Sequence, residues 1–353
     1  MTSFNLDQLL DEMKNTSAMQ SKMNIGHNLN PTATHIQQFS DLYALPGDDT
    51  AAIKMNDGYL LHACEGMIPS FVENTPYFAG WSAVMANISD IAAMGGRATS
   101  VVNSFWHRSY EQAQLLMQGM QDACAQYAVP MVGGHTHIDP SFQPALSVAI
   151  QGQAKKLLSV MHVQPQHDIL LVLNMKGKFH PNSTYWKCFE GVKATTLQNQ
   201  LEILPQLAEL GLVEAARDIS NAGILGSLLM LLEASGCGAE ISLDQIMKPE
   251  AVTWSHWLKI FPSYGFLLTA ERAASHEIMA HFAEQNLHCV VIGRVNESGV
   301  VTVRHQQQQA EFWNFKQQLF TGLCYAEQLQ HIQQQTQRIP TQIRQGEQSR
   351  CQA

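Results

Sequence analysis

The sequence has few charged residues and lacks the features that mark nucleic-acid-binding and membrane-spanning proteins. Charged side chains make up 14% of its 353 residues, against roughly 25% in an average protein. The formal net charge is -9, and no five-residue stretch consists mostly of Lys or Arg. The clustered cations that bind nucleic acids are therefore missing. The longest apolar segment, residues 224–232, is far shorter than the roughly 20 residues of a membrane span. Neither a nucleic-acid partner nor a membrane partner is expected.

Paired cysteines are missing as well. The seven cysteines are so widely spaced that no Cys-x-x-Cys pair is available for a zinc or redox site. An odd, scattered set of this kind is typical of reduced thiols in a cytosol. The first residues form a polar, amphipathic pattern without the basic stretch and apolar core of a signal peptide. We therefore expect a soluble, cytoplasmic protein.

The common nucleotide-binding motifs are also absent. The sequence contains neither the phosphate-binding loop Gly-x-x-x-x-Gly-Lys-Ser/Thr nor a Gly-x-Gly-x-x-Gly string after a predicted strand. If the protein binds a nucleotide, it does so without either of these loops.

The hydrophobic pattern predicts two alternating α/β units, in keeping with a length of about two typical domains. The N-terminal domain is placed at residues 1–155 and the C-terminal domain at 165–310. Residues 311–353 are rich in glutamine and are expected to form a partly disordered tail. The predicted helices lie at 4–20, 80–94, 110–127, 195–210, 222–235 and 271–286. The predicted strands lie at 50–55, 59–64, 99–106, 129–132, 144–153, 168–174, 265–269, 288–292 and 300–304.

Several acidic residues stand beside glycines, turn residues or small-residue helices: Asp48, Asp49, Glu65, Asp90 and Asp218. Taken singly, each is explained as a helix cap or a surface charge. Asp90 is the exception, because it lies within a predicted helix of small and apolar residues. An ionised carboxylate without a partner is costly there. A bound divalent cation is a natural partner for such a group.

Two histidines suggest a different kind of site. His135 and His137 are two residues apart just after a predicted strand, so their side chains can face the same way. Metal-dependent hydrolases use such pairs, together with further ligands from later strands. The alternative is that Gly133 and Gly134 form a tight turn and the neighbouring polar residues only satisfy it. A metal-dependent hydrolase is therefore a third hypothesis, behind the two given below.

Four strings resemble motifs of one superfamily, which contains aminoimidazole ribonucleotide (AIR) synthetase, thiamine-monophosphate kinase, selenophosphate synthetase and the hydrogenase-maturation dehydratase. Residues 46–53 resemble its GDDAAV loop, and residues 87–95 resemble its NLSDLAAMG helix almost residue for residue. Residues 132–136 are similar to its GGDT or GGHT loop. Residues 218–223, followed by 233–236, are similar to its DVSDGL and EASG pair. The order is that of the family, and the similarity is greatest to AIR-synthase-related proteins near the thiamine-monophosphate kinase branch.

The resemblance implies a two-domain α/β (α+β) AIR-synthase-like fold. Strands of the N-terminal domain would form a barrel across a homodimer, followed by a C-terminal α/β domain. The implied activity depends on ATP and Mg²⁺: phosphoryl transfer to a small-molecule acceptor, or activation of a carbonyl oxygen by phosphorylation before attack by an amine. Phosphoryl transfer calls mainly for charge neutralisation and in-line positioning, and hard oxygen ligands suit Mg²⁺.

The resemblance also implies roles for single residues. Asp48, Asp49, Asp90 and Asp218 match the magnesium ligands, and Glu65 stands about where the kinases have an aspartate. The nucleotide-binding residues implied are Asp48, Asp49, Asn87, Gly133, Gly134 and Asp218, and His135 is implied to contact phosphate or carry a proton.

The sequence also departs from the kinase pattern. His135 and Asn221 stand where the kinases have aspartates, and residues 262–268 replace their GEDYELL string. The acceptor site is therefore altered, and thiamine monophosphate is not carried over as the substrate. The missing carboxylates leave a non-catalytic nucleotide-binding or scaffold protein as the alternative function.

Overall fold

The computed structural model describes residues 4–26 and 46–329. Two short helices come first, α1 (Leu6–Lys14) and α2 (Ser17–Lys22). The sequence predicted one helix here. The helix is interrupted at Asn15 and Thr16. The Thr16 hydroxyl accepts a hydrogen bond from Met19 N–H and so caps the second helix.

The N-terminal domain is a five-stranded sheet with helices on one face. Its strands β1 to β5 are Ala51–Lys54, Tyr59–Met67, Arg97–His107, Met131–Ile138 and Ala145–Ala154, in the order β1-β2-β5-β3-β4. Only the pair β3–β4 is parallel. Its helices are α3 (Pro69–Asn74), α4 (Pro76–Ala93) and α5 (Tyr110–Tyr127).

Helix α4 is the centre of this domain. Nearly all of its residues are buried, so the helix is enclosed on every side. Small residues let α4 and α5 approach closely: a Cβ on Gly80 would lie 2.1 Å from the Leu116 carbonyl oxygen, and one on Gly119 would lie 1.9 Å from that of Tyr77. The helix ends at Gly95, whose φ of +75° suits glycine.

The C-terminal domain is built on a seven-stranded sheet in the order β15-β14-β10-β13-β6-β12-β9. Its strands are β6 (Asp168–Leu173), β9 (Ala215–Asp218), β10 (Gly238–Ser242), β12 (Gly265–Ala270), β13 (His288–Asn296), β14 (Val300–His305) and β15 (Gln308–Asn314). A smaller three-stranded sheet contains β7 (Lys178–Phe179), β8 (Tyr185–Lys187) and β11 (Phe261–Pro262). The helices are α6 (Ala194–Leu201), α7 (Ile203–Leu210), α8 (Gly223–Glu233), α9 (Trp254–Trp257) and α10 (Ser275–Glu284).

Some predicted elements were wrong in detail. The helix predicted at 195–210 is two helices, because Pro205 has no N–H to bond the preceding turn and instead occupies the first turn of α7. Strand β4 continues through Gly133 and Gly134, whereas the predicted strand ended at residue 132. Six strands were not predicted: β7, β8, β9, β10, β11 and β15.

The first part of the predicted tail belongs to the C-terminal domain. Strand β15 pairs with β14, and the segment after it buries Phe315, Phe320 and Tyr325 in the core. The buried carboxylate of Glu233 accepts hydrogen bonds from the backbone N–H groups of residues 320–322. The high glutamine content wrongly predicted disorder here, because the apolar residues between the glutamines pack into the core and hold the segment in place. The rest of the predicted tail, residues 330–353, lies outside the described residues.

The five-stranded sheet is open in the single chain, with β1 and β4 at its edges. The barrel expected across a dimer is a property of two chains and stays a prediction. Several large apolar side chains on these strands are exposed: Ile53, Val102, Trp106, Val132 and Ile138. Within the described ranges, no helix has the length and apolarity needed to cross a bilayer.

Candidate functional site

A polar cavity of about 240 Å³ lies where the two domains meet. Both domains and the N-terminal helix pair contribute to its wall. The residues that line it are Lys22, Asp48, Asp49, Glu65, Gly66, Met67, Ile68, Phe71, Ala86, Asp90, Tyr185, Arg217, Asp218, Ser220, Asn221 and Phe261. The cavity therefore collects five of the acidic residues that the sequence singled out.

Three of these carboxylates form a tight cluster. Ligand oxygens of Asp49, Asp90 and Asp218 all lie within 4.8 Å of one another. They come from the loop before β1, from the last turn of α4 and from the end of β9. In the part of the chain that the structure describes, this is the only group of three or more His, Cys, Asp or Glu side chains placed to share a metal ion.

Asp49 is held from the side of the C-terminal domain. Its side chain is 3% exposed, and one oxygen pairs with the Arg217 guanidinium at 3.0 Å. The other oxygen accepts a hydrogen bond from Asp218 N–H at 3.1 Å. Arg217 also donates to the Gly47 carbonyl oxygen at 2.6 Å, which fixes the loop that carries Asp49. Contacts within the protein thus hold the Asp49 carboxylate in place.

Asp90 has the least compensated charge. It is 7% exposed, and its Oδ2 has no hydrogen-bond partner among the described residues. Burial raises the pKa of Asp90 well above its ordinary value, and the nearby Asp218, Glu65 and Asp49 raise it further. An ionised carboxylate in this position needs a positive partner.

The rest of the cluster shows the same excess of negative charge. Burial, followed by the charge of Asp49, raises the pKa of Asp218 to about 8. Burial also raises the pKa of Asp49, although Arg217 opposes the shift. Hard oxygen donors in surplus over cations are the donor set that Mg²⁺ prefers, so the residues present fit a divalent cation.

Asp48 and Glu65 line the cavity outside the cluster. Both oxygens of Asp48 are engaged, by the Ser159 hydroxyl at 2.6 Å and by Val160 N–H at 2.7 Å. Burial raises the pKa of Asp48 to about 6, against these two bonds. Asp48 therefore anchors its loop, and its oxygens are less available to a metal than those of Asp49. Glu65 lies on β2, where burial raises its pKa and Lys22 lowers it.

Asn87 does not reach the cavity. It is completely buried, and its Nδ2 donates to the carbonyl oxygens of Ala83 at 2.7 Å and Val148 at 3.0 Å. The bond to Val148 ties α4 to β5. In this structure Asn87 supports the helix that presents Asp90, one turn further along.

Gly133, Gly134 and His135 are also outside the cavity. They lie on β4, which is the edge of the sheet furthest from β1 and three strands from β2, the strand of Glu65. Close packing explains Gly134, since a Cβ there would lie 2.7 Å from the Asn103 amide oxygen. The rings of His135 and His137 are 4.6 Å apart and exposed, but the described residues provide no third ligand beside them.

Sequence reasoning missed the two cations of the site, Lys22 and Arg217. Lys22 ends α2 and lines the cavity, where its charge lowers the pKa values of Asp49, Glu65 and Asp218. The helix pair that carries it is docked on the C-terminal domain, for example by the Glu12–Lys259 ion pair at 3.0 Å. Arg217 offered one signal, its position directly before Asp218; Lys22 offered none.

The chain is similar to proteins of one family. Residues 47–154 match the family model described as AIR synthase related protein, N-terminal domain, and residues 186–306 match the corresponding C-terminal domain. A protein of Synechocystis sp. described as uncharacterized is 42% identical over 78% of this chain and 86% of its own length.

Solved structures show the same fold. The structure described as T. maritima PurL complexed with ATP superposes with a TM-score of 0.67 at 18% identity, over 89% of this chain and 55% of that one. The chain thus spans about half the length of that PurL protein. The structure described as AaThiL complexed with AMPPCP and TMP superposes with a TM-score of 0.60 at 16% identity, over 89% of this chain and 100% of that one.

Proposed function

Because this chain belongs to the AIR synthase related family, we propose that it is an ATP-dependent enzyme that uses Mg²⁺ to transfer a phosphoryl group to a small metabolite, or to activate one. The observation that carries the proposal is the cluster of Asp49, Asp90 and Asp218, whose oxygens lie within 4.8 Å of one another. A buried cluster with this charge needs a cation, and nucleotide phosphates are commonly bound through one. Structures of the same fold with ATP or AMPPCP bound support the choice of nucleotide.

Asp49, Asp90 and Asp218 would hold the metal, with Glu65 as a further ligand from β2. Bound Mg²⁺ would neutralise charge on the phosphate oxygens. Arg217 keeps Asp49 oriented towards the cluster, and Lys22 lines the same cavity, where its ammonium group would pair with phosphate oxygens. In the transfer itself, the acceptor oxygen forms a bond to the γ-phosphorus while the bond to the bridging oxygen breaks. ADP leaves with that electron pair, and the acceptor's proton passes to water.

The proposal also covers the oligomeric state and the cellular compartment. We propose a homodimer, because the N-terminal sheet has an open edge at β4 and exposed apolar side chains. His135 lies on that edge, so a role in phosphate contact or proton transfer requires a second copy of the chain. The cytoplasm is the proposed compartment, where ATP is available and the six free cysteines of the described residues stay reduced.

A non-catalytic nucleotide-binding protein is the alternative. Asn221 lines the cavity at the position where the kinases have a further aspartate, so one negative charge is missing from the wall. The two functions are separated by incubating the purified protein with Mg²⁺, γ-labelled ATP and a metabolite extract. The enzyme transfers the label to a small molecule or releases it as phosphate, in a manner that depends on the extract. A scaffold binds ATP and does neither. The third hypothesis, a hydrolase at His135 and His137, requires bound zinc or iron in the purified protein.

A further inference from the structure

An apolar recess opens from the polar cavity. It has a volume of about 40 Å³, and the rings of Phe71, Tyr185 and Phe261 line both the recess and the cavity. These three rings thus form the boundary between a region rich in carboxylates and a region lined mainly by apolar side chains, with Ser82, Lys187 and Ser263 also in its wall. Ligand sites commonly combine such a region with a few converging polar groups.

The wall of the recess is made of aromatic rings set at defined angles. Phe71 stacks on Tyr185 with centroids 5.1 Å apart and an interplanar angle of 24°. Phe78 meets both rings edge-on, at 5.5 Å from Phe71 and 5.7 Å from Tyr185. Phe189 lies parallel to Phe78 at 6.3 Å, and Phe261 lies 5.7 Å from Tyr185. Aromatic pairs prefer offset-stacked and edge-to-face arrangements of this kind, so a further aromatic ring would pack against this wall with favourable geometry.

The recess is shared between the domains, as the cavity is. Phe71 and Phe78 come from α3 and α4, whereas Tyr185 and Phe261 come from β8 and β11. All four of these rings are only partly buried.

We propose that the recess binds a flat aromatic or heteroaromatic ring of the acceptor, whose reacting oxygen then points towards Asp49, Asp90 and Asp218. This inference rests on the proposed function for the identity of the cavity as the phosphate site. The recess volume of about 40 Å³ admits the edge of a single ring, and the remainder of the ring would lie against the boundary rings Phe71, Tyr185 and Phe261. The acceptor class is a monocyclic aromatic alcohol or its phosphate ester, and fused polycyclic compounds are too large.

The test uses two small alcohols that differ in flatness, benzyl alcohol and cyclohexylmethanol, as probes of the full-length protein. Saturation-transfer NMR measures the binding of each probe with Mg²⁺ and AMPPCP present. Stacking favours the aromatic probe by roughly three- to tenfold over the saturated one. Equal binding of the two alcohols would overturn the inference.

Two variants locate the binding. Ser82→Leu fills the recess from α4 without touching the polar cavity, and Phe78→Leu removes one ring of its wall. Each variant is expected to lose the preference for benzyl alcohol while keeping its affinity for Mg²⁺ and AMPPCP. Tyr110→Leu, at an exposed aromatic residue outside the recess, is the matched control and is expected to bind as the wild type does.

The outcomes separate this inference from the proposed function. Nucleotide binding without any preference for the aromatic probe leaves the function in place and removes the recess proposal. An aromatic preference that persists in the folded Ser82→Leu and Phe78→Leu variants also removes it, because the ring is then bound elsewhere. An aromatic preference that these variants abolish, in a protein that binds no nucleotide, keeps the recess and removes the phosphoryl-transfer function.

Discussion

The backbone N–H of Asp218 donates a hydrogen bond to the Asp49 carboxylate over 3.1 Å. Asp49 belongs to the N-terminal domain and Asp218 to the C-terminal domain, so one proposed metal ligand positions the other across the domain boundary. Arg217, the neighbour of Asp218, completes the contact through its ion pair with Asp49 at 3.0 Å. The carboxylate cluster is therefore assembled by docking of the domains, and a cation would bind to a site that is already formed.

Asp90→Asn is expected to abolish magnesium binding without loss of stability. The change removes a buried charge whose Oδ2 has no protein partner, so the free energy of unfolding without metal stays the same or rises. Affinity for Mg²⁺ falls by more than roughly tenfold, because one of three close carboxylates is lost. Thermal unfolding with and without Mg²⁺ measures both effects. Asp57→Asn, at an exposed turn, is the control; a large loss of metal-free stability in Asp90→Asn would show that the carboxylate is structural.

The response to Mg²⁺ is expected to grow with pH. The pKa of Asp218 is raised to about 8 and that of Asp48 to about 6, both mainly by burial. The folded state therefore holds protons that the unfolded state has lost above its ordinary pKa near 4, so metal-free stability falls as pH rises from about 4 to about 8. Because Mg²⁺ competes with these protons, the rise in melting temperature on adding Mg²⁺ should be larger at pH 8 than at pH 6. An equal or smaller rise at pH 8 contradicts the assignment.

Arg217→Met is expected to destabilise the protein when no metal is present. Both partners of the Arg217–Asp49 pair are buried, and removing one partner of such a pair costs about 3–5 kcal/mol. Mg²⁺ should restore part of the loss, since a cation in the cluster neutralises Asp49. Urea unfolding with and without Mg²⁺ tests this, with Arg217→Lys as the variant that keeps the charge but not the fork of donors. A variant as stable as the wild type in the absence of Mg²⁺ would disprove the role of the pair.

Lys22→Ala is expected to shift two affinities in opposite directions. Removing the ammonium group relieves repulsion of Mg²⁺ in the cavity, so the metal alone binds more tightly. ATP in the presence of Mg²⁺ binds more weakly, by roughly tenfold, because a charged hydrogen bond to phosphate is lost. Lys14→Ala, whose ammonium group pairs with Asp11 at 3.5 Å, should change neither affinity. If the affinity for Mg²⁺ and the affinity for ATP both rose or both fell, Lys22 would not contact the phosphates.

Much of the fold was predictable because its elements carry regular patterns. Helix α5 was predicted with its observed bounds, and in the structure the Ser109 hydroxyl caps it and its buried residues recur at helical spacing. Strand β9 was missed because it is short and contains Arg217 and Asp218, a charged pair that is more typical of a loop. Strand β15 was missed because it lies at a sheet edge, where glutamine side chains can face water and no alternating pattern is required.

The site was predictable only in part, and for a physical reason. Asp49, Asp90 and Asp218 stand within distinctive local strings, so their identity is visible in the sequence before their proximity is. The position of Lys22 depends on how the N-terminal helices dock, which no local pattern records. Asn87 lies on the helix of Asp90 and within the same string, yet its amide serves the packing of α4 on β5. A motif therefore identifies which segments meet at a site, while the fold decides which side chains reach it.

Calorimetric titration of the protein with ATP, in the presence and absence of Mg²⁺, tests the central claim most directly. The wild type should bind ATP in a magnesium-dependent manner, and Asp90→Asn should lose that dependence while unfolding at the temperature of the wild type or above. ATP binding that is absent with Mg²⁺, or that is equally strong without Mg²⁺ and in Asp90→Asn, would contradict the assignment of Asp49, Asp90 and Asp218 as a metal-bridged phosphate site.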